Sequence, residues 1–135
     1  MIAIGDTVRM VRAYDGSPHK VGDTDIVTYS YLAASGNIMH RLANDYNGVP
    51  EEYLTIVRES EYPMKQAYGV GDCALLNSKN GTQAESCIIY NVQQVVGIGA
   101  YTGVIYTVRT FPENGPGEYI TVPQSQFISA DYSLF

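Results

Sequence analysis

An all-β fold is what the sequence predicts, on three observations. Twelve Tyr, thirteen Gly and many Val, Ile and Thr, with no Trp, suit pleated, half-buried strands joined by tight turns. Apolar residues alternate in short runs and never hold a helical period for long. The order of strand, long strand, hairpin and Val-Pro step occurs twice, in residues 4–57 and again in residues 70–128. The 135-residue chain therefore reads as one supersecondary unit used twice: two small antiparallel barrels in tandem, residues 1–62 and 63–135. A single β-sandwich whose short strands share turn chemistry is the alternative.

The elements follow in order. Residues 4–11 alternate, with Val8 and Met10 on one face and Thr7 and Arg9 on the other, which is a half-buried strand. Asp15-Gly16, Ser17-Pro18 and Val21-Gly22-Asp23 punctuate residues 14–23 into an ordered loop. Strands are expected at 26–32 and 37–42, parted by Ser35-Gly36. Residues 44–48 should turn at Asn47-Gly48, a pair that suits positive φ. Val49-Pro50 then leads into a last strand at 53–57, because proline cannot donate to a ladder.

The polar, proline-containing run 58–66 marks a boundary, and the pattern restarts. Val70-Gly71-Asp72 repeats Ile4-Gly5-Asp6 at an offset of 66, and Gly103 to Arg109 lines up with Gly36 to Leu42 at 67. A strand at 87–96 and a turn between Gly99 and Gly103 separate them. After Asn114-Gly115, Val122-Pro123 matches Val49-Pro50 at an offset of 73, and a large apolar residue stands four beyond each proline, Leu54 and Phe127.

The charge of −6, from fourteen acidic and eight basic residues with three Lys, argues against a nucleic-acid partner, because neutralising phosphates needs clustered cations. No run approaches the ~20 apolar residues of a membrane span, and the opening Met-Ile-Ala-Ile-Gly-Asp lacks a signal peptide's basic start, so a cytoplasmic protein is expected. Two Cys are too few for a disulfide framework. If a hairpin turns at Asn80-Gly81, Cys73 and Cys87 face each other across it, within disulfide reach, or remain thiols in a reducing compartment.

Gly5-Asp6-Thr7-Val8, the loop from Tyr14 to Asp23 and the ending from Gly48 to Val57 resemble small SH3-like barrels of the KOW and Tudor type, found also in many short phage proteins. The resemblance implies a Gly-Asp opening strand one, a Val-Gly-Asp before strand two and a proline-containing turn before the last strand. It carries no catalytic residues. For a phage-encoded chain it implies the host cytoplasm or the virion as location.

Little in the sequence points to catalysis. His19 lies beside Lys20 in a loop and His40 is mid-strand, neither with a nucleophile or carboxylate at catalytic spacing. Asp23/Asp25 and Glu51/Glu52 lack the further oxygen ligands of a cation site, two Cys with no nearby His cannot make a zinc site, and Gly97-Ile98-Gly99 lacks the rest of a phosphate loop, so neither metal nor cofactor is expected. Binding is the more natural reading. Tyr14, Tyr46 and Tyr53 flank Val49-Pro50, where SH3-like barrels use an aromatic groove. Asp15, Asp45, Glu51 and Glu52 would make that groove acidic and suited to a basic protein surface. A virion or assembly component, with residues 131–135 docking on a neighbour to form homo-oligomers, an inhibitor of a host defence enzyme, and a nucleic-acid-associated KOW-like module, which the resemblance implies and the acidic balance opposes, are the rival readings.

Overall fold

The computed structural model describes residues 1–61, 65–77, 84–96, 102–111 and 115–128. These residues form nine strands and no α-helix: β1 (Thr7–Met10), β2 (Thr24–Leu32), β3 (Ile38–Leu42), β4 (Asp45–Pro50), β5 (Leu54–Arg58), β6 (Cys73–Leu76), β7 (Glu85–Val96), β8 (Thr102–Thr110) and β9 (Tyr119–Pro123). Two single-turn 3-10 helices, Glu51–Tyr53 and Gln124–Gln126, follow β4 and β9. All pairings are antiparallel, in one sheet not closed into a barrel. Its path runs β4-β3-β2-β7-β8-β9, with β1 joining β2 to β5 and β6 hanging from β7. Asn80-Gly81, the segment 97–101, Asn114 and residues 131–135 lie outside the described residues.

The Gly-Asp openings have a physical cause. Gly5 and Gly71 take φ of 90° and 88°, which a side chain would strain. Their amides reach the carbonyls of Val27 and Ile89, each at 2.8 Å, tying the chain to the second strand of its own half. Asp6 and Asp72 close the turn, their carboxylates accepting from the amides of Ala3 and Gly69, each at 2.8 Å. β1 then buries Val8 and Met10 and turns Arg9 outward.

The closing elements also match. In each half the Val-Pro step leads into a 3-10 turn, whose first carbonyl accepts from Leu54 or Phe127. Both side chains are 7% exposed, and they pair with Met10 and Leu76 respectively. The proline therefore sets the entry, and the fourth residue beyond it enters the core.

Three expectations need correction. Asn47-Gly48 is not the hairpin turn: the chain reverses at Ala43-Asn44, and Gly48 (φ 84°) sits in a bulge of β4, between the His40↔Val49 and Leu42↔Asp45 pairs. The offset of 67 for the third strands is one residue out. His40 and Leu42 share their buried places with Tyr106 and Val108, 66 positions on, and pair onto β4 and β9 alike, His40 with Val49 and Tyr106 with Val122. Cys73 and Cys87 are not opposite, because Cys73 pairs with Ile88 and Ala74 with Cys87. That one-residue displacement sends them to opposite faces, Cys73 exposed and Cys87 buried, both free. Burial pushes the Cys87 thiol up to about 11. In a thiol titration of the native protein Cys73 should react and Cys87 should wait for unfolding; equal rates for both would contradict this placement.

The halves join where β2 meets β7, through Tyr29↔Gln93, Ser30↔Val92 and Tyr31↔Asn91. Ser30 lies opposite His40 and Val92 opposite Tyr106, so Ser30 and Val92 are corresponding residues. They meet each other at the junction, as about a local twofold axis. One cluster of buried residues, from Ile2 and Val8 through Val92 to Phe127, runs under both halves.

Candidate functional site

The loop between β1 and β2 is fixed by its own turns. The amide of Ser17 bonds the carbonyl of Tyr14 (3.0 Å), Asp23 that of Lys20 (3.0 Å) and Gly22 that of Met10 (2.8 Å). Side chains then fasten the loop to β4: Ser17 Oγ donates to the buried Asp45, and Asn47 Nδ2 donates to the Gly16 carbonyl at 3.1 Å. A Cβ on Gly16 would stand 2.9 Å from the Tyr14 ring, so the glycine lets that ring fold back over the loop.

Tyr14 thereby meets Tyr53 of the first 3-10 turn edge to face, with ring centroids 5.2 Å apart. The Arg12 guanidinium lies 4.4 Å above the Tyr53 ring. Tyr46, 80% exposed, projects from β4 between Asp45 and Asn47, the two residues that hold the loop. Among the described residues it makes no ring contact. The structure thus brings Tyr14 and Tyr53 together and leaves Tyr46 free on a neighbouring strand.

The carboxylates divide. Asp45 is buried, and Glu51 turns inward, where Oε1 lies 3.0 Å from His40 Nε2 and accepts from the Ile2 amide at 3.4 Å. The hydrogen bond from His40, opposed by partial burial, holds the Glu51 carboxyl below its ordinary value. Asp15 and Glu52 remain exposed. Glu52 edges a crevice of about 250 Å³ lined by Gly36, Asn37, Ile38, Pro50 and Glu51. The acidic rim is therefore narrower than four carboxylates imply, and Arg12 offsets part of it.

Asp25 is also occupied. Its carboxylate lies 2.8 Å from His19 Nε2 and accepts from the amides of Ile26 (2.8 Å) and Asn44 (2.9 Å) and from Asn44 Nδ2 (3.2 Å). Among the described residues no three His, Cys, Asp or Glu side chains converge as metal ligands.

Two groups escaped the sequence. One is Arg12, whose stacking depends on where Tyr53 falls in the fold. The other is the row Ser30–His40–Glu51, with Ser30 Oγ 2.7 Å from His40 Nδ1. Its signal was visible: Ser30 and His40 are polar residues at inward places of alternating strands. Serine, imidazole and carboxylate in a row can relay a proton. Yet Ser30 and His40 are each 1% exposed, and they border a cavity of about 100 Å³. The corresponding row in the second half is Val92, Tyr106 and Gln124, where Tyr106 hydroxyl donates to Gln124 Oε1. The shared feature is a link from the third strand of a half to its 3-10 turn, made with different chemistry each time. No protein-family model, curated protein or solved structure matches this chain.

Proposed function

We propose that the chain is a non-enzymatic protein-interaction module of two SH3-like units, residues 1–62 and 63–135, that holds a basic segment of a partner protein on the first unit. The unit assignment is supported by a strand order of β5-β1-β2-β3-β4 with a 3-10 turn before the last strand, and by its recurrence as Phe127, β6, β7, β8 and β9. The observation that carries the binding reading is the Tyr14–Tyr53 pair, held by a fastened loop beside the exposed Tyr46 and the Glu52 crevice. Rigid aromatic surface with a nearby carboxylate suits a Lys- or Arg-bearing segment. Non-enzymatic use is supported by the burial of Ser30 and His40, each 1% exposed, within the Ser30–His40–Glu51 row. Among the described residues no helix is long and apolar enough to cross a membrane.

A labelled library of basic decapeptides, scored by fluorescence anisotropy, tests this. Peptides that bind the parent should lose roughly tenfold or more in affinity with Tyr53→Ala, and more with Tyr46→Ala added, as buried aromatic anchors do. Binding unchanged in the double variant, or no binding by any basic peptide, would overturn the proposal.

A further inference from the structure

The outward face of the five strands β3-β2-β7-β8-β9 has a charge pattern that the loop site does not use. Its rows run Arg41, Tyr29, Gln93, Ile105 and Pro123, then Met39, Tyr31, Asn91, Thr107 and Thr121, ending at Arg109 opposite Tyr119. No residue in these rows is acidic, although the chain holds fourteen acidic residues to eight basic. The Arg41 guanidinium lies 4.8 Å over Tyr29 and 5.6 Å over Tyr31. Arg109 lies 5.3 Å over Tyr119 and donates to its hydroxyl at 3.2 Å. Neither has a carboxylate partner among the described residues. A guanidinium resting on a ring is pre-oriented, and the donors not already engaged, which in Arg109 are those other than the one given to Tyr119, can recognise carboxylates. Strand spacing and rise put the two cations roughly 20 Å apart, a span that one folded partner covers at ordinary interface size.

The same chain carries the complementary surface, since Glu52 on its crevice and Asp15 beside Tyr14 are exposed and make no ion pair among the described residues. We propose that the partner of the sheet face is a second copy of this chain, with Arg41 and Arg109 of one copy docking on the Glu52 crevice and Asp15 rim of the other. This rests on the loop side being a receptor for basic groups and names one such group.

Light scattering over a concentration series, from micromolar to near-millimolar at low salt, should show an average mass rising above that of the monomer and falling back as salt screens the contact. Arg41→Glu with Arg109→Glu should weaken association roughly tenfold or more, as should Glu52→Lys, because each sets like charges against each other. These three changes combined with Asp15→Lys in one chain, which reverses every charge in the contact, should restore it. All these positions are on the surface, so parental melting curves are expected and serve as the folding control. A monomer at every concentration, association that neither reversal touches, or failure of the combined variant to recover would each overturn the proposal. The basic-peptide assay separates the two readings. Glu52→Lys should lose the peptide while the double arginine variant keeps it. Peptide binding by a chain that stays monomeric sinks self-docking alone, whereas no peptide binding at all sinks the loop reading beneath it.

Discussion

Met10→Ala and Leu76→Ala are expected each to lower the unfolding free energy by about 2–4 kcal/mol, the range for truncating a buried side chain that leaves a cavity. The two residues occupy corresponding places, Met10 against Leu54 and Leu76 bridging Phe127, and both are buried. The sharper expectation concerns cooperativity. Units of ~60 residues bury too little surface to be more than marginally stable alone. Here the two halves share a cluster running from Ile2 to Phe127, a β2–β7 ladder, and the buried bond from the Ile4 amide to Gln66 Oε1 at 2.8 Å. Urea unfolding followed by circular dichroism and by Tyr fluorescence should therefore show one transition, moved by either substitution. Two separate transitions, each sensitive to one variant only, would mean that the halves fold independently and that the shared cluster couples them weakly.

Local periodicity and backbone geometry decide which features of the two halves are legible in the sequence. Val8 and Met10 alternate with polar neighbours, and a period of two is enough to place them inward. The Gly-Asp pairs and the apolar residue after each Val-Pro step were legible because local backbone geometry fixes them, through positive φ in one case and a single 3-10 turn in the other. Asn47-Gly48 misled because a bulge and a tight hairpin ask for the same residues, and only the pairing partner tells them apart. The Cys73–Cys87 expectation failed by one position in register, which in a sheet is the difference between the two faces. The β2–β7 junction had no local signature at all: an edge strand carries the same sequence whether or not another strand lies beside it. Of the proposed site, Tyr14 and Tyr53 do meet, although residues 45–50, expected to contain a turn, are strand, and Tyr53, expected to open the last strand, closes the 3-10 turn before it. The inward turn of Glu51 was not legible, since it depends on His40 being buried at 1% exposure on a neighbouring strand.

Asp25→Ala is the second change expected to act strongly, costing about 3 kcal/mol at neutral pH. The side chain is nearly buried, and its removal would leave the amides of Ile26 and Asn44 and the His19 ring without their acceptor. Burial pushes the Asp25 carboxyl up, but the Ile26 and Asn44 amides and His19 outweigh it and hold the group below its ordinary value of 3.8. Glu51 is held below its ordinary 4.5, chiefly by His40. A carboxyl depressed by folding stabilises the native state fully above its unfolded value, and that contribution is lost as pH falls through the folded one. Stability should thus be flat towards neutrality from these two groups and decline progressively once pH drops below 4.5 and then 3.8. Asp25→Asn and Glu51→Gln keep the shape and remove the titration, so each should begin less stable at neutral pH and show a shallower acid decline than the parent. Acid unfolding curves measured in parallel decide it. A variant whose curve runs parallel to the parent's across that window would show that its carboxyl is not held down in the native fold, and that the fasteners tying the first loop to β2 and the first 3-10 turn to β3 are not ionic.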